Sequence, residues 1–290
     1  MTAGSVALVG AGPGDPRLIT VRGLQLLRSA DVVVHDRLVD ARLLDEAPPH
    51  AVRIFAGKAS GRHAMPQAEI NAILVAWALR GRRVVRLKGG DPYVFGRGAE
   101  EAEALAAAGV RFEVVPGVSA AIAVPESAGI PVTRRGVASS FAVVTGHGEG
   151  CSDGAAAVDW ARVATATDTL VILMGLGNLG RIVRELIAHG RAPDTPVALV
   201  RAGTTSSEET VSGTLADIEA RATAAALEPP VVIVVGDVVS LRTVLVTIDE
   251  TAARGLAVGR EDCTALNWTE RPRDGRELGT VQKTRQIQCG

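Results

Sequence analysis

The stretch VVRLKGGDPYVFGRGAEE, residues 84–101, decides the fold. Val84, Val85 and Leu87 read as a buried strand, Gly89 and Gly90 as the turn that leaves it, and residues 99–108 as the helix that follows. A polar, glycine-rich loop at the carboxyl end of a strand is where an open α/β sheet binds its ligands. The question for the rest of the chain is which ligand.

Outward from that loop, strands alternate with helices. Upstream, strands are expected over 5–9, 32–34 and 52–56, with helices over 18–27, 38–46 and 66–79. Downstream, a strand over 112–115 runs into the small residues Pro116-Gly117-Val118-Ser119-Ala120-Ala121, which let a ligand approach the backbone. Such alternation means a mostly parallel sheet. Near residues 130–136 the pattern restarts, with strands over 141–145, 169–174, 196–200 and 231–235 and a short edge strand over 211–213. The expected fold is therefore two α/β domains with mostly parallel sheets and a cofactor cleft between them. The expected boundaries are an N-terminal domain 1–133, a C-terminal domain 134–249 and a disordered tail 250–290, the last from its lack of periodicity.

Composition narrows the function. Of 290 residues 47% are hydrophobic and 22% charged, a globular balance. The net charge of -1 gives no overall pull on nucleic acid or anionic membrane, so an anionic substrate must meet a local basic cluster. No apolar run reaches membrane-span length and the start lacks a signal-peptide pattern, so the expectation is a cytoplasmic protein. Cys151, Cys263 and Cys289 lack metal-ligand spacing, and no metal is expected.

The loop GAGPGDP, residues 10–16, invites comparison with a dinucleotide fingerprint. The comparison fails because Asp15 stands where the third glycine belongs and Pro13 removes a donor N–H. Asp36, just past a strand end, reads either as the cap of the helix over 38–46 or as a catalytic carboxylate. Asp91 reads either as a turn aspartate or as a ligand-binding one. Met174 by itself is core filler, and His147 a loop histidine. Arg37, Lys58, Arg62, His63, Arg97, Arg134 and Arg135 make a basic rim around the strand ends.

Taken together, GAGPGDP at 10–16, HDRLV at 35–39, Gly57-Lys58, RLKGGDPYVFGRGAEE at 86–101, VVPGVSAA at 114–121, TGH at 145–147 and MGLGNL at 174–179 resemble the tetrapyrrole methylases that use S-adenosylmethionine. Within that family the pattern is that of the uroporphyrinogen-III C-methyltransferases. The resemblance covers roughly residues 5–245. It implies a homodimer that converts uroporphyrinogen III to precorrin-2 by methylation at C2 and C7, for siroheme or cobalamin. It also implies that Pro13, Gly89, Gly90, Asp91, Val94, Ser119, Ala120, Met174 and Gly203 contact the cofactor. Asp36 matches the family's proton acceptor, Lys58 its proton donor, and Arg97, Glu100 and Arg135 positions that face the tetrapyrrole. The dehydrogenase and ferrochelatase module fused to this domain in some siroheme synthases is not expected here. Two departures stand out: Arg134-Arg135-Gly136-Val137 replaces the usual His-Arg-Asp-Tyr after Thr133, and Arg201-Ala202-Gly203 replaces the usual Glu-Asn-Gly.

The residue chemistry suits that cofactor. S-Adenosylmethionine carries a sulfonium and no phosphate, so a loop with Pro13 and Asp15 fits it better than it fits NAD. A tetrapyrrole with eight carboxylates suits a rim of arginines.

Overall fold

A computed structural model describes residues 4–57, 65–147 and 158–245. Lys58, Arg62, His63, the three cysteines and the expected tail lie outside the described residues. The elements run β1 (Ser5–Gly10), α1 (Val21–Leu27), β2 (Val32–His35), α2 (Ala41–Asp45), β3 (Val52–Phe55), α3 (Gln67–Leu79), β4 (Arg83–Lys88), α4 (Gly98–Ala107) and β5 (Arg111–Val115). They continue with α5 (Ala120–Ser127), β6 (Phe141–Thr145), α6 (Trp160–Val163), β7 (Thr169–Leu173), α7 (Leu179–Ala188), β8 (Pro196–Arg201), β9 (Glu209–Thr214), α8 (Ile218–Ala224) and β10 (Val231–Val235).

The first five strands form one sheet in the order β3-β2-β4-β1-β5, and every neighbouring pair is parallel. Alternation along β4 sends Val84 to the α3–α4 side, with Leu8, Val34, Leu74 and Leu105. Val85 and Leu87 go to the other side, with Val9, Leu27, Val33 and Leu43. The connection after β1 leaves toward one edge of the sheet and that after β4 toward the other. The β1–β4 seam is therefore the topological switch point, where such sheets open a binding crevice.

The second sheet has the order β6-β7-β10-β8-β9 and is mixed. Only β6–β7 is parallel; β10 runs antiparallel to both neighbours, and β8 and β9 are antiparallel. The expectation of mostly parallel pairing thus describes the first sheet better than the second. The reason is the β8–β9 reversal: it turns the chain round, α8 brings it back in the reversed sense, and β10 enters between β7 and β8 against both. The expected short edge strand is β9, at the end of the sheet.

Helix α5 follows the first sheet but packs on the second, where Ala121 and Val124 join Val171, Val200, Val232 and Val234. The opposite face of that sheet is covered by α6, α7 and α8 through Trp160, Ile182, Leu186 and Ile218. No helix among the described residues is long and apolar enough to cross a membrane.

Candidate active site

The loops that leave β1, β4 and β5 are drawn together by backbone. Gly90 N–H donates to Gly12 O at 2.7 Å and Ala11 N–H to Lys88 O at 2.7 Å. Glycine is required at the meeting point: a Cβ on Gly117 would lie 2.2 Å from Gly90 O, and one on Gly10 2.5 Å from Gly117 Cα. Asp91 ties the assembly, one carboxylate oxygen accepting from Tyr93 N–H at 2.8 Å and the other from Gly117 N–H at 3.0 Å. Its turn role and its place in the site are thus the same geometry. Ser119 caps α5 by accepting from Ala121 N–H.

The second half closes over these loops. Asp15 N–H donates to Thr204 Oγ1 at 3.1 Å, and Thr204 N–H to Ser127 Oγ at 3.2 Å. Between them lies a cleft lined by all nine residues expected at a cofactor: Pro13, Gly89, Gly90, Asp91, Val94, Ser119, Ala120, Met174 and Gly203. Sequence reasoning did not single out Leu38, Val124 and Pro230, which line it too, as does Ala202 of the Arg201-Ala202-Gly203 departure. These residues are apolar or small, with no polar signature to betray them before the chain is folded.

Asp91 is the one charged side chain among the lining residues described. At Gly90 (φ +65°) an added Cβ would meet nothing nearer than Ala120 N at 3.8 Å, so the glycines form an open cradle that a side chain would fill. An apolar cleft with backbone groups, one carboxylate and no cation fits a phosphate-free sulfonium cofactor and suits a pyrophosphate poorly. Helix geometry agrees: a 3₁₀ turn, Pro16–Leu18, follows the first loop, and α1 begins only at Val21, capped by Thr20. A dinucleotide fingerprint needs its helix to open at the loop.

Backbone strain gathers at the same place. Phe95 (φ 51°), Met174 (φ 56°) and Ala202 (φ 46°) line the cleft in left-handed conformations that side chains disfavour, and Arg97 (φ 59°) and Thr204 (φ 68°) flank it. Ala202 occupies the position where the resembling family carries Asn, the residue better suited to that conformation.

Asp36 does not cap the helix that follows it. Helix α2 is capped by Asp40, whose side chain accepts from Arg42 N–H at 2.8 Å. Asp36 Oδ1 instead accepts from Arg86 Nη2 at 2.5 Å, and the carboxylate is 31% exposed. It stands two residues before Leu38, at the cleft wall. Behind it lies a buried cluster that sequence reasoning passed over. Arg86 and Lys88, both 2% exposed, share Glu101 Oε1 at 2.9 Å each, and Glu101 is fully buried. Gln67 Nε2 reaches the same oxygen at 3.3 Å, whereas Oε2 is buried without a hydrogen-bond partner among the described residues. The available signal was two cations at i and i+2 in a strand otherwise buried, with a glutamate on the next helix.

The electrostatics follow from burial. Burial and the charge of Arg86 push the Lys88 ammonium below its usual range, against the pull of Glu101 and Asp36. Burial would also lower Arg86, but Asp36 and Glu101 outweigh it and hold the guanidinium above its ordinary value. Burial lowers His35, beside Asp36.

The expected substrate-facing groups divide. Arg97 and Glu100 lie at the start of α4 just past Val94 and Phe95, and pair bidentately at 2.9 and 2.8 Å. Arg135 is exposed on a separate turn closed by the Arg134–Ala138 bridge, and is not a lining residue of the cleft. There Gly136, at φ +78°, takes the left-handed conformation that glycine accepts without strain.

Comparison with known proteins decides the family. A family model described as Tetrapyrrole (Corrin/Porphyrin) Methylases matches residues 5–219. The chain belongs to the tetrapyrrole methylases. It is 50% identical over 242 residues to an S-adenosyl-L-methionine-dependent uroporphyrinogen III methyltransferase of Methanosarcina barkeri, covering 83% of this chain and 94% of that one. It is 51% identical to the siroheme synthase of Edwardsiella ictaluri across 83% of this chain but spans only 51% of that protein. Among solved structures, a Thermus thermophilus uroporphyrin-III C-methyl transferase complexed with S-adenyl homocysteine matches with a TM-score of 0.70 and 41% identity, covering 82% of this chain and 99% of that one. This tetrapyrrole methylase therefore shares the fold of the Thermus thermophilus enzyme.

Proposed function

We propose that this chain transfers methyl groups from S-adenosylmethionine to C2 and C7 of uroporphyrinogen III, giving precorrin-2 by way of precorrin-1, with S-adenosylhomocysteine as by-product. The product feeds siroheme or cobalamin. The observation that carries the reading is the convergence of nine residues from five separate stretches of chain on one cleft with a single charged side chain among its lining residues. The relatives from Methanosarcina and Thermus support the choice of cofactor and macrocycle.

In this reading Gly89, Gly90, Asp91, Ser119 and Ala120 hold the cofactor from the first half, and Met174 and Gly203 from the second. When bound, S-adenosylmethionine supplies a methyl group already activated by its sulfonium, so the protein contributes chiefly alignment and electrostatics. Asp36, with one oxygen engaged by Arg86, accepts the proton that the pyrrole releases on alkylation. Arg97, with its partner Glu100, and Arg135 meet the carboxylates of the macrocycle; Lys58, the family's proton donor, completes the catalytic pair. The functional form is a homodimer, supported by the exposed apolar side chains Tyr93, Phe95 and Phe141 around a hollow beside the cleft.

The test is incubation with uroporphyrinogen III and methyl-labelled S-adenosylmethionine under reducing, oxygen-free conditions. Two labels per macrocycle are expected; none, or label accepted only by a later corrinoid, overturns the assignment. Light scattering tests the dimer.

A further inference from the structure

None of the side chains of Arg86, Lys88 and Glu101 lines the cleft, so the proposed chemistry does not use them directly. Yet two cations and a carboxylate are buried there, and desolvating each ion costs several kcal/mol unless it is paired and hydrogen-bonded. The partly exposed carboxylate paired with this cluster is Asp36.

We propose that Arg86 is a positioning residue for the Asp36 carboxylate, and that Glu101 and Lys88 serve to fix Arg86. The inference rests on the reading of Asp36 as the proton acceptor. Arg86 Nε donates to Glu101 Oε1 at 2.9 Å, and Nη1 to the carbonyls of Val34 and Leu87 at 3.4 Å each. With those edges engaged, the guanidinium plane is set by strand and helix, and Nη2 remains to donate outward. It meets Asp36 Oδ1 at 2.5 Å. Asp36 N–H donates to Leu87 O at 3.3 Å, which locks the backbone of the same residue to the same strand. One carboxylate oxygen is therefore held, while the second has no hydrogen-bond partner among the described residues, on a side chain 31% exposed and two residues before Leu38 of the cleft wall.

Charge balance explains Lys88. Arg86 alone would face two carboxylates, Glu101 and Asp36; the ammonium 2.9 Å from Glu101 makes the four groups neutral as a set while Asp36 is ionised. A lysine at position 86 could not do the same work, because a single ammonium cannot donate along two fixed edges to two carboxylates.

The decisive experiment is a double-mutant cycle between Arg86→Lys and Asp36→Asn, with cofactor affinity read by calorimetry on S-adenosylhomocysteine. Arg86→Lys is expected to lower kcat by about 10²-fold through misplacement of the carboxylate, with KM for the tetrapyrrole and cofactor Kd within about threefold. In the Asp36→Asn background the same substitution is expected to cost less than about threefold, because its effect runs through Asp36. An equal fractional loss in both backgrounds, or a loss carried by KM or cofactor Kd, overturns the positioning role and leaves the proposed function standing. Wild-type activity in Asp36→Asn overturns the base assignment beneath it, and the inference with it. Should Arg86→Lys not fold, Glu101→Gln, which keeps an oxygen for Arg86 Nε, runs the same cycle against the same criteria.

Discussion

Two regions that meet at the end of β4 solve opposite problems. Gly89 and Gly90 belong to a cleft floor with almost no charge, built from backbone and small side chains. Lys88 and Arg86, immediately before them, belong to a buried cluster that is almost all charge. The cleft achieves selectivity through shape, because Gly10 and Gly117 pack where no Cβ fits and Gly90 leaves open the space a side chain would fill. The cluster achieves it through rigidity, because a buried ion leaves its partner only at high cost. A neutral, close-fitting floor suits a donor that arrives activated, whereas proton transfer needs a carboxylate fixed in place.

Substitutions can break or sharpen that contrast. The largest effect is expected from Glu101→Ala, which leaves Arg86 and Lys88 as buried cations without their common partner; stability should fall by about 3–5 kcal/mol in denaturant unfolding. A loss below about 1 kcal/mol would mean the cluster is solvated and the contrast is false. Asp91→Ala comes next. It frees the N–H groups of Tyr93 and Gly117 and slackens the floor, so S-adenosylhomocysteine should bind about 10²-fold more weakly by calorimetry. Unchanged affinity would show that the floor holds its shape without its one charge.

Arg135→Ala should raise KM for the tetrapyrrole by about fivefold, an exposed ion pair's worth, with cofactor affinity intact in steady-state assays and calorimetry. An equal loss of cofactor would place Arg135 in the floor. The smallest effect is expected from Ala202→Asn. Asn tolerates the left-handed conformation that Ala202 adopts at φ 46°, and stability should rise by about 0.5 kcal/mol, a melting-temperature increase of about 1–2 °C. A fall would indicate that the wall has no room for the larger side chain.

Much of this was legible beforehand. Alternation and glycine punctuation located the strands that carry the site, and the family resemblance of the loops at 10–16, 86–101 and 114–121, together with Met174 and Gly203, named nine of the residues that line the cleft. Less legible were Asp36, Arg86 and Glu101. Asp36 read equally well as a helix cap, and only the fold shows that Asp40 takes that place. Arg86 and Lys88 drew no separate reading, because the burial of their side chains depends on α3 and α4 lying over that face of the sheet.

By itself, the sequence determined what depends on local conformation and on residue chemistry: strand and helix periods, the glycines where loops converge, and a cleft suited to a phosphate-free cation. Tertiary structure alone decided the direction of β10, which follows from the β8–β9 reversal, and the pairing of Arg86 with Asp36 across 50 residues. The reason is physical. Backbone preference is set by near neighbours, whereas the state of a buried charge is set by whichever distant groups replace its water.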